Sequence, residues 1–195
     1  LIFPAVAGCL PVRLVSSSPP SALAAAPPPI VQWTKTFSGA NDDRGYSVRQ
    51  TSDGSYIIAG NTDTGAPGYD AYLIKTDASG NMLWSKTFGG ADASIDTAHS
   101  VQQTSDGGYI MVGTTESSGM ASRDVYLVKT DDSVNMLWSK TFGGTNNEDK
   151  GYSIQQTSDG GYIIAGYTKS FGADYGDVYL VKTDSSGNMT WSQTL

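Results

Sequence analysis

The sequence predicts an all-β fold, a β-propeller-like array of three four-stranded antiparallel blades with an extended N-terminal tail and one surplus strand. Three observations lead there. The octet QTSDGGYI stands at 103–110 and again at 156–163, and QTSDGSYI stands at 50–57. A Trp-led segment recurs as WTKTFSG at Trp33, WSKTFGG at Trp84 and Trp138, and WSQTL at Trp191, at intervals of 51, 54 and 53 residues. Between these landmarks the residues are of strand type: in DVYLVKT at 124–130, Val125, Leu127 and Lys129 alternate with Tyr126 and Val128, the period-two pattern of a pleated strand.

Within each copy the order is a Trp segment, a variable loop, a run such as YSVRQTSDGSYIIAG, a second variable loop, and a run such as DAYLIKTDASGNML. GYIIAG at 161–166 is an apolar run of strand length bounded by Gly, as in a strand covered on both faces. Thr-Ser-Asp-Gly lies between two such runs, where Asp-Gly supplies the positive φ of a tight hairpin turn. TDASGNM at 76–82 and TDSSGNM at 183–189 make a second hairpin; Val134 replaces its Gly in the middle copy. A β-branched residue is costly at positive φ, so Asn81, Asn135 and Asn188 are expected to hold the left-handed position. Two hairpins per copy give blades from Tyr46 to Lys86, His99 to Lys140 and Tyr152 to Leu195, with Ile30 to Phe37 left as a thirteenth strand. The four Trp residues are expected at equivalent, shielded sites on fourth strands, each with the residue at Trp+4 on the same strand face. The last copy departs, with Thr190, Gln193 and Leu195 where the others have Leu, Lys and Phe.

A four-stranded meander of about fifty residues is the period of a propeller blade. The pattern of WSKTFGG, QTSDGGYIIAG and DVYLVKTDSSGN resembles the tandem β-propeller repeats of secreted bacterial and archaeal surface proteins, distantly similar to pyrroloquinoline-quinone-like and kelch propellers. The resemblance covers Trp33 to the C-terminus. It implies architecture more than activity, because such folds host many functions.

Composition bounds the partners. With 12 Lys and Arg against 19 Asp and Glu the net charge is −7, a surface that repels phosphate backbones and makes nucleic acid an unfavourable partner. Cys9 is the single cysteine, so neither an intrachain disulfide nor a cysteine-based zinc site is open to one chain. The segment 1–29 is read as an apolar and Pro-rich tail, and 30–195 as the repeat domain. Leu1 to Leu10 is too short to span a bilayer and is interrupted by Pro4. It reads as an export signal, through the small residues of ALAAAP or through VAGC at 6–9, or as a retained tail that packs on a neighbour.

No site of chemistry is expected, and no cofactor and no metal. The chain carries no P-loop, GxGxxG, HExxH or GxSxG pattern. His99 aligns with Tyr46 and Tyr152 and reads as a tolerated strand residue. Asp77, Asp131 and Asp184 recur in the second hairpin, but DxSGN lacks the spaced oxygen ligands of a calcium loop and Asp there bonds its own turn. Lys75, Lys129 and Lys182 recur as well, which points to a structural task such as pairing with Asp or covering an aromatic ring. Asn188-Met189-Thr190 is a candidate N-glycosylation sequon. The Asn- and Asp-rich loops suit solvent or glycan recognition.

The expected function is that of a non-enzymatic secreted structural protein, extracellular or on the cell surface. It would assemble head to tail into a filament or surface layer through Leu1, Ile2, Phe3, Val6, Leu10, Ile30, Val31, Trp33 and Phe37, with itself as partner. An unpaired strand is a ready template for another chain. The alternative is a cell-surface adhesin or carbohydrate-binding propeller, with surface glycans as partner, acting as a monomer or as a two-chain ring of six blades.

Overall fold

The computed structural model describes residues 31–39, 41–65, 68–89, 94–116, 122–145, 147–172 and 175–195. These contain twelve β-strands and no helix. Strands β1 (Asp43–Gln50), β2 (Tyr56–Thr62), β3 (Asp70–Thr76) and β4 (Met82–Phe88) form blade 1 as an antiparallel meander. Blade 2 repeats it with β5 (Thr97–Gln103), β6 (Tyr109–Thr115), β7 (Asp124–Thr130) and β8 (Met136–Phe142), and blade 3 with β9 (Asp149–Gln156), β10 (Tyr162–Thr168), β11 (Asp177–Thr183) and β12 (Met189–Thr194). The all-β, three-blade expectation is met.

The hairpins follow from their residues. Gly54, Gly107 and Gly160 alone take positive φ in the first hairpin, at 81°, 86° and 81°. Gly54 N–H donates to the Thr51 carbonyl at 2.9 Å, and Thr51 N–H to the Ser55 carbonyl at 2.9 Å, so the Asp of each Asp-Gly pair stays in the right-handed region. Its carboxylate caps the turn instead: Asp53 Oδ1 accepts from Ser55 N–H at 3.0 Å and from the Thr51 hydroxyl at 2.6 Å. In the second hairpin the left-handed residues are Gly80, Gly187 and Val134, the last at φ 65°. This corrects the expectation for the three Asn residues. Val134 is 4% exposed and joins the apolar cluster on which Trp84 packs, and that burial offsets the strain of a β-branched left-handed residue. Asn135 instead clamps the turn, its Nδ2 donating to Asp131 Oδ2 at 2.9 Å.

Each innermost strand carries a β-bulge, at Tyr46 in β1, His99 in β5 and Tyr152 in β9, where the register skips one residue. A bulge re-aims its extra side chain, and here it brings the three rings into a row: Tyr46 to His99 at 5.5 Å and His99 to Tyr152 at 5.4 Å between centroids. His99 Nδ1–H donates to the Gly151 carbonyl at 2.8 Å. Burial holds the imidazole pKa down, opposed by that hydrogen bond. His99 is thus a neutral packing residue, in line with the reading of it as a strand residue. Opposite the bulge the backbones approach so closely that a Cβ on Gly113 would strike the Thr97 carbonyl, which is why Gly closes the run in every copy.

Two apolar clusters join the blades. Ile57, Ala59, Ala71, Leu73 and Phe88 of blade 1 meet Ala98, Val101, Tyr109, Met111 and Val128 of blade 2. Ile110, Val112, Val125 and Leu127 of blade 2 meet Ile154, Tyr162, Ile164, Tyr179 and Val181 of blade 3. Both faces of blade 2 are therefore covered, and the array is open: β5 packs against both β1 and β9, while blades 1 and 3 each keep one outer face.

The thirteenth strand is not formed. Residues 31–39 lie outside every ladder among the described residues. Ile30, and with it Leu1, Ile2, Phe3, Val6 and Leu10, falls outside the described residues. The chain divides into a unit 1–32 and a unit 33–195, and Trp33 and Phe37 belong to the second. No helix of the described residues is long and apolar enough to cross a membrane.

Candidate assembly surface

Equivalent positions in the three blades have unequal surroundings. Ile57, Ala59, Ala71 and Leu73 of blade 1 are all 0% exposed, as are Ile110, Val112, Val125 and Leu127 of blade 2. Their counterparts in blade 3 are Ile163, Ala165, Val178 and Leu180. Val178 is 50% exposed and the other three are half-buried. At the outer strand the trend continues: Phe88 is 6% exposed and Phe142 half-buried, whereas Leu195 is 68% exposed. The side chains that glue blade 1 to blade 2 are thus repeated on blade 3 and face outward there. A contiguous apolar sheet face of this kind marks an interaction surface.

Blade 1 presents the complementary face. Val48 is the counterpart of Val101 and Ile154, which are 0% and 6% exposed; Val48 is 56% exposed. Beside it Phe37, Gly45, Ile58, Gly60, Tyr72 and Ile74 line a groove of about 180 Å³. The segment 33–37 covers part of this face. Trp33 meets Tyr56 edge-on at 6.0 Å, as Trp84 meets Tyr109 at 5.8 Å and Trp138 meets Tyr162 at 6.0 Å. Lys35 Nζ donates to Asn81 Oδ1 at 3.2 Å, as Lys140 Nζ does to Asn188 Oδ1 at 3.3 Å. The segment thus imitates the fourth strand of a preceding blade, without its ladder. Trp191 has the same place on β12 but is 47% exposed. The shielding expected for the four Trp residues is therefore met in part: Trp84 and Trp138 are half-buried, Trp33 and Trp191 are not.

A polar clasp accompanies each blade junction. Gln103 Oε1 accepts from Ser52 N–H of the preceding blade at 2.8 Å, and Gln156 Oε1 from Ser105 N–H at 3.0 Å. The amide nitrogen of each Gln donates into its own turn, to Gly107 at 3.3 Å and Gly160 at 3.5 Å. Gln50 makes the turn bond to Gly54 at 3.3 Å and has the same acceptor to offer on the outer side. Ser158 is the equivalent outer donor of blade 3. The Gln recurs in all three octets, but its junction bond joins residues 51 apart and is visible only in the packed blades.

The repeated lysines pair with the Asp of the first hairpin, Lys75 with Asp53 at 2.8 Å, Lys129 with Asp106 at 2.9 Å and Lys182 with Asp159 at 2.8 Å. Lys75 also lies 6.0 Å from the Tyr109 ring centre. Asp77, Asp131 and Asp184 hold their own turns, as expected. Asn188 Nδ2 donates to Asp184 Oδ2 at 3.0 Å, the same clamp that Asn81 and Asn135 make, so the turn accounts for the side chain of the sequon. Val31 is 74% exposed. Of the residues read from the sequence as an assembly site, Trp33 and Phe37 lie on blade 1; the incomplete burial of Ile163, Val178 and Leu180 is visible only in the packed blades. No protein-family model matches this chain, and no curated protein is similar to it in sequence.

Proposed function

We propose that the chain is a non-enzymatic structural protein of the cell exterior whose copies stack head to tail, the free face of blade 3 of one copy on the free face of blade 1 of the next. One observation carries this reading: the residues that seal both internal junctions recur on blade 3, where Val178 is half exposed and Ile163, Ala165 and Leu180 are only half-buried. In the contact, Trp191 takes the place of Trp33 against Tyr56 and Ser158 N–H donates to Gln50. Residues 33–37 contribute no ladder bonds, so giving up their place costs none. A heterologous contact of this kind propagates as a filament unless its rotation closes a ring. The apolar tail residues Leu1, Ile2, Phe3, Val6 and Leu10 add a second contact, so removing residues 1–31 is expected to weaken the assembly without abolishing it.

The test is native mass at micromolar concentration. Placing a carboxylate at Val178 is expected to weaken association at least about hundredfold, because an uncompensated charge in an apolar contact costs roughly 3 kcal/mol or more. A wild-type chain that stays monomeric, or a Val178→Asp chain that assembles as the wild type does, defeats the reading.

One feature favours a second reading, the glycan-binding ring of six blades from two copies. The inner strands enclose a polar hollow of about 510 Å³ lined by Arg49, Gln50, Gln102, Gln103, Ser153 and Gln155, within the size range of small-molecule sites. A discrete dimer in the same mass measurement selects this ring over the filament.

A further inference from the structure

Among the described residues, the junction between blades 2 and 3 holds two carboxylates with no cation paired to them. Asp149, at the start of β9, is 0% exposed, and Asp124, at the start of β7, is 2% exposed. Asp149 Oδ2 accepts from Gly144 N–H at 3.0 Å and from the Ser170 hydroxyl. Its Oδ1 and the Oδ1 of Asp124 are buried without any hydrogen-bond partner. The two carboxylates converge on one point beside Gly143: a Cβ there would collide with Asp124 Oδ1 and lie 2.8 Å from Asp149 Oδ2.

The surrounding cations are committed elsewhere. Arg123 pairs with Glu116 and, at 3.4 Å, with Glu148; Lys150 and Lys169 reach Glu148 at 2.8 and 3.9 Å. Burial, then the neighbouring charge of Asp149, pushes the Asp124 carboxyl above its ordinary value. Two buried like charges are mutually destabilising and need a proton or a cation between them. The convergence, though not the full burial, is repeated at the junction of blades 1 and 2. A Cβ on Gly89 would collide with Asp70 Oδ1 and lie 2.9 Å from Asp96 Oδ2; Asp96 is 0% exposed and accepts from the Ser94 hydroxyl at 3.4 Å, whereas Asp70 is half-buried. Asp43 and Asp177 are the same two positions on the outer faces of blades 1 and 3.

We propose that Asp124 and Asp149 bind a hard divalent cation, Ca²⁺, which bridges blades 2 and 3, and that Asp70 and Asp96 form the equivalent site between blades 1 and 2. Carboxylate oxygens suit Ca²⁺, which fills its remaining coordination with backbone carbonyls and water. Two protein carboxylates place the affinity in the range of extracellular modules, about 0.1–1 mM. The ion acts as a staple between blades, since the two carboxylates of each site come from adjoining blades, Asp96 from just before β5.

Thermal unfolding of the full chain, in chelator and then in millimolar CaCl₂, tests this together with calorimetric titration. Ca²⁺ is expected to raise Tm by several degrees, as mass action on a folded-state site requires, with up to two ions bound per chain. Asp124→Asn is expected to be at least as stable as the wild type in chelator, because it relieves the repulsion, and to lose about half of the calcium response. Asp70→Asn/Asp124→Asn loses all of it. The proposal is overturned by a wild type that ignores Ca²⁺, which leaves a shared proton as the neutralising species. It is equally overturned by a double variant that responds as the wild type does, or by an Asp124→Asn chain destabilised in chelator.

Discussion

Leu127→Ala is expected to destabilise the chain by about 3 kcal/mol, the usual cost of emptying a leucine site in a closed core. Leu127 is 0% exposed at the centre of the cluster that joins blades 2 and 3, so the void has apolar walls from two sheets and little freedom to collapse. For a domain of this size the shift in Tm is roughly 6–12 °C. Leu180 holds the same position in blade 3 and is only half-buried. Leu180→Ala should therefore cost less than about 1 kcal/mol in the dissociated chain and approach the Leu127 value once copies are stacked. Thermal melts across a concentration series measure both. Equal losses for the two variants in dilute solution would show that the outer face of blade 3 is already covered within the chain.

Asp106→Ala is expected to cost about 2–3 kcal/mol, since it leaves the ammonium of Lys129 buried with only the Thr130 carbonyl at 2.8 Å. The Lys129 side chain is 4% exposed, against 59% for its partner Asp106, and that exposure places the loss below that of a fully buried pair. Asp106→Ala/Lys129→Met removes the stranded charge together with its partner and should recover more than half of the loss. The pair also sets a pH dependence. Burial raises the Asp106 pKa, but hydrogen bonds from Thr104 and Lys129 outweigh it and hold the carboxyl at about 2, below its ordinary 3.8. The Lys75 and Lys182 hydrogen bonds depress Asp53 and Asp159 in the same sense. A carboxylate depressed in the folded state contributes stability that is present above its unfolded value and lost as pH falls. Stability from the three pairs should therefore hold down to about pH 4 and decline below it. Unfolding in urea at stepped pH reads this, and the Asp106 variants should show a shallower decline.

Much of the architecture was legible in the sequence because repetition exposes it. Three copies of one octet and four Trp-led segments located the strands and hairpins, and local chemistry is enough for that: alternation sets the faces, and Gly at the end of Asp-Gly sets the turn. The repeated Lys and Asp pointed to pairing for the same reason. Where the reading went astray, the deciding contact was remote. Val134 is unsuited to a left-handed turn by its own propensity, and only the neighbouring blade, through the cluster around Trp84, makes it tolerable. The segment at Trp33 has a strand's composition, yet a strand exists only where another backbone lies alongside, and no strand among the described residues pairs with it.

The sequence alone determined the blade, its order of strands and the chemistry of its first hairpin. The tertiary structure decided which copies of the same residue are core and which are surface. Val125 and Val178 sit in the same DVYLVKT segment, and one is sealed while the other is half bare. Likewise Asp124 and Asp149 lie twenty-five residues apart in the chain, and their charges oppose each other only because β7 and β9 belong to adjoining blades. Burial and charge proximity arise between sheets, from packing that no window of the chain contains.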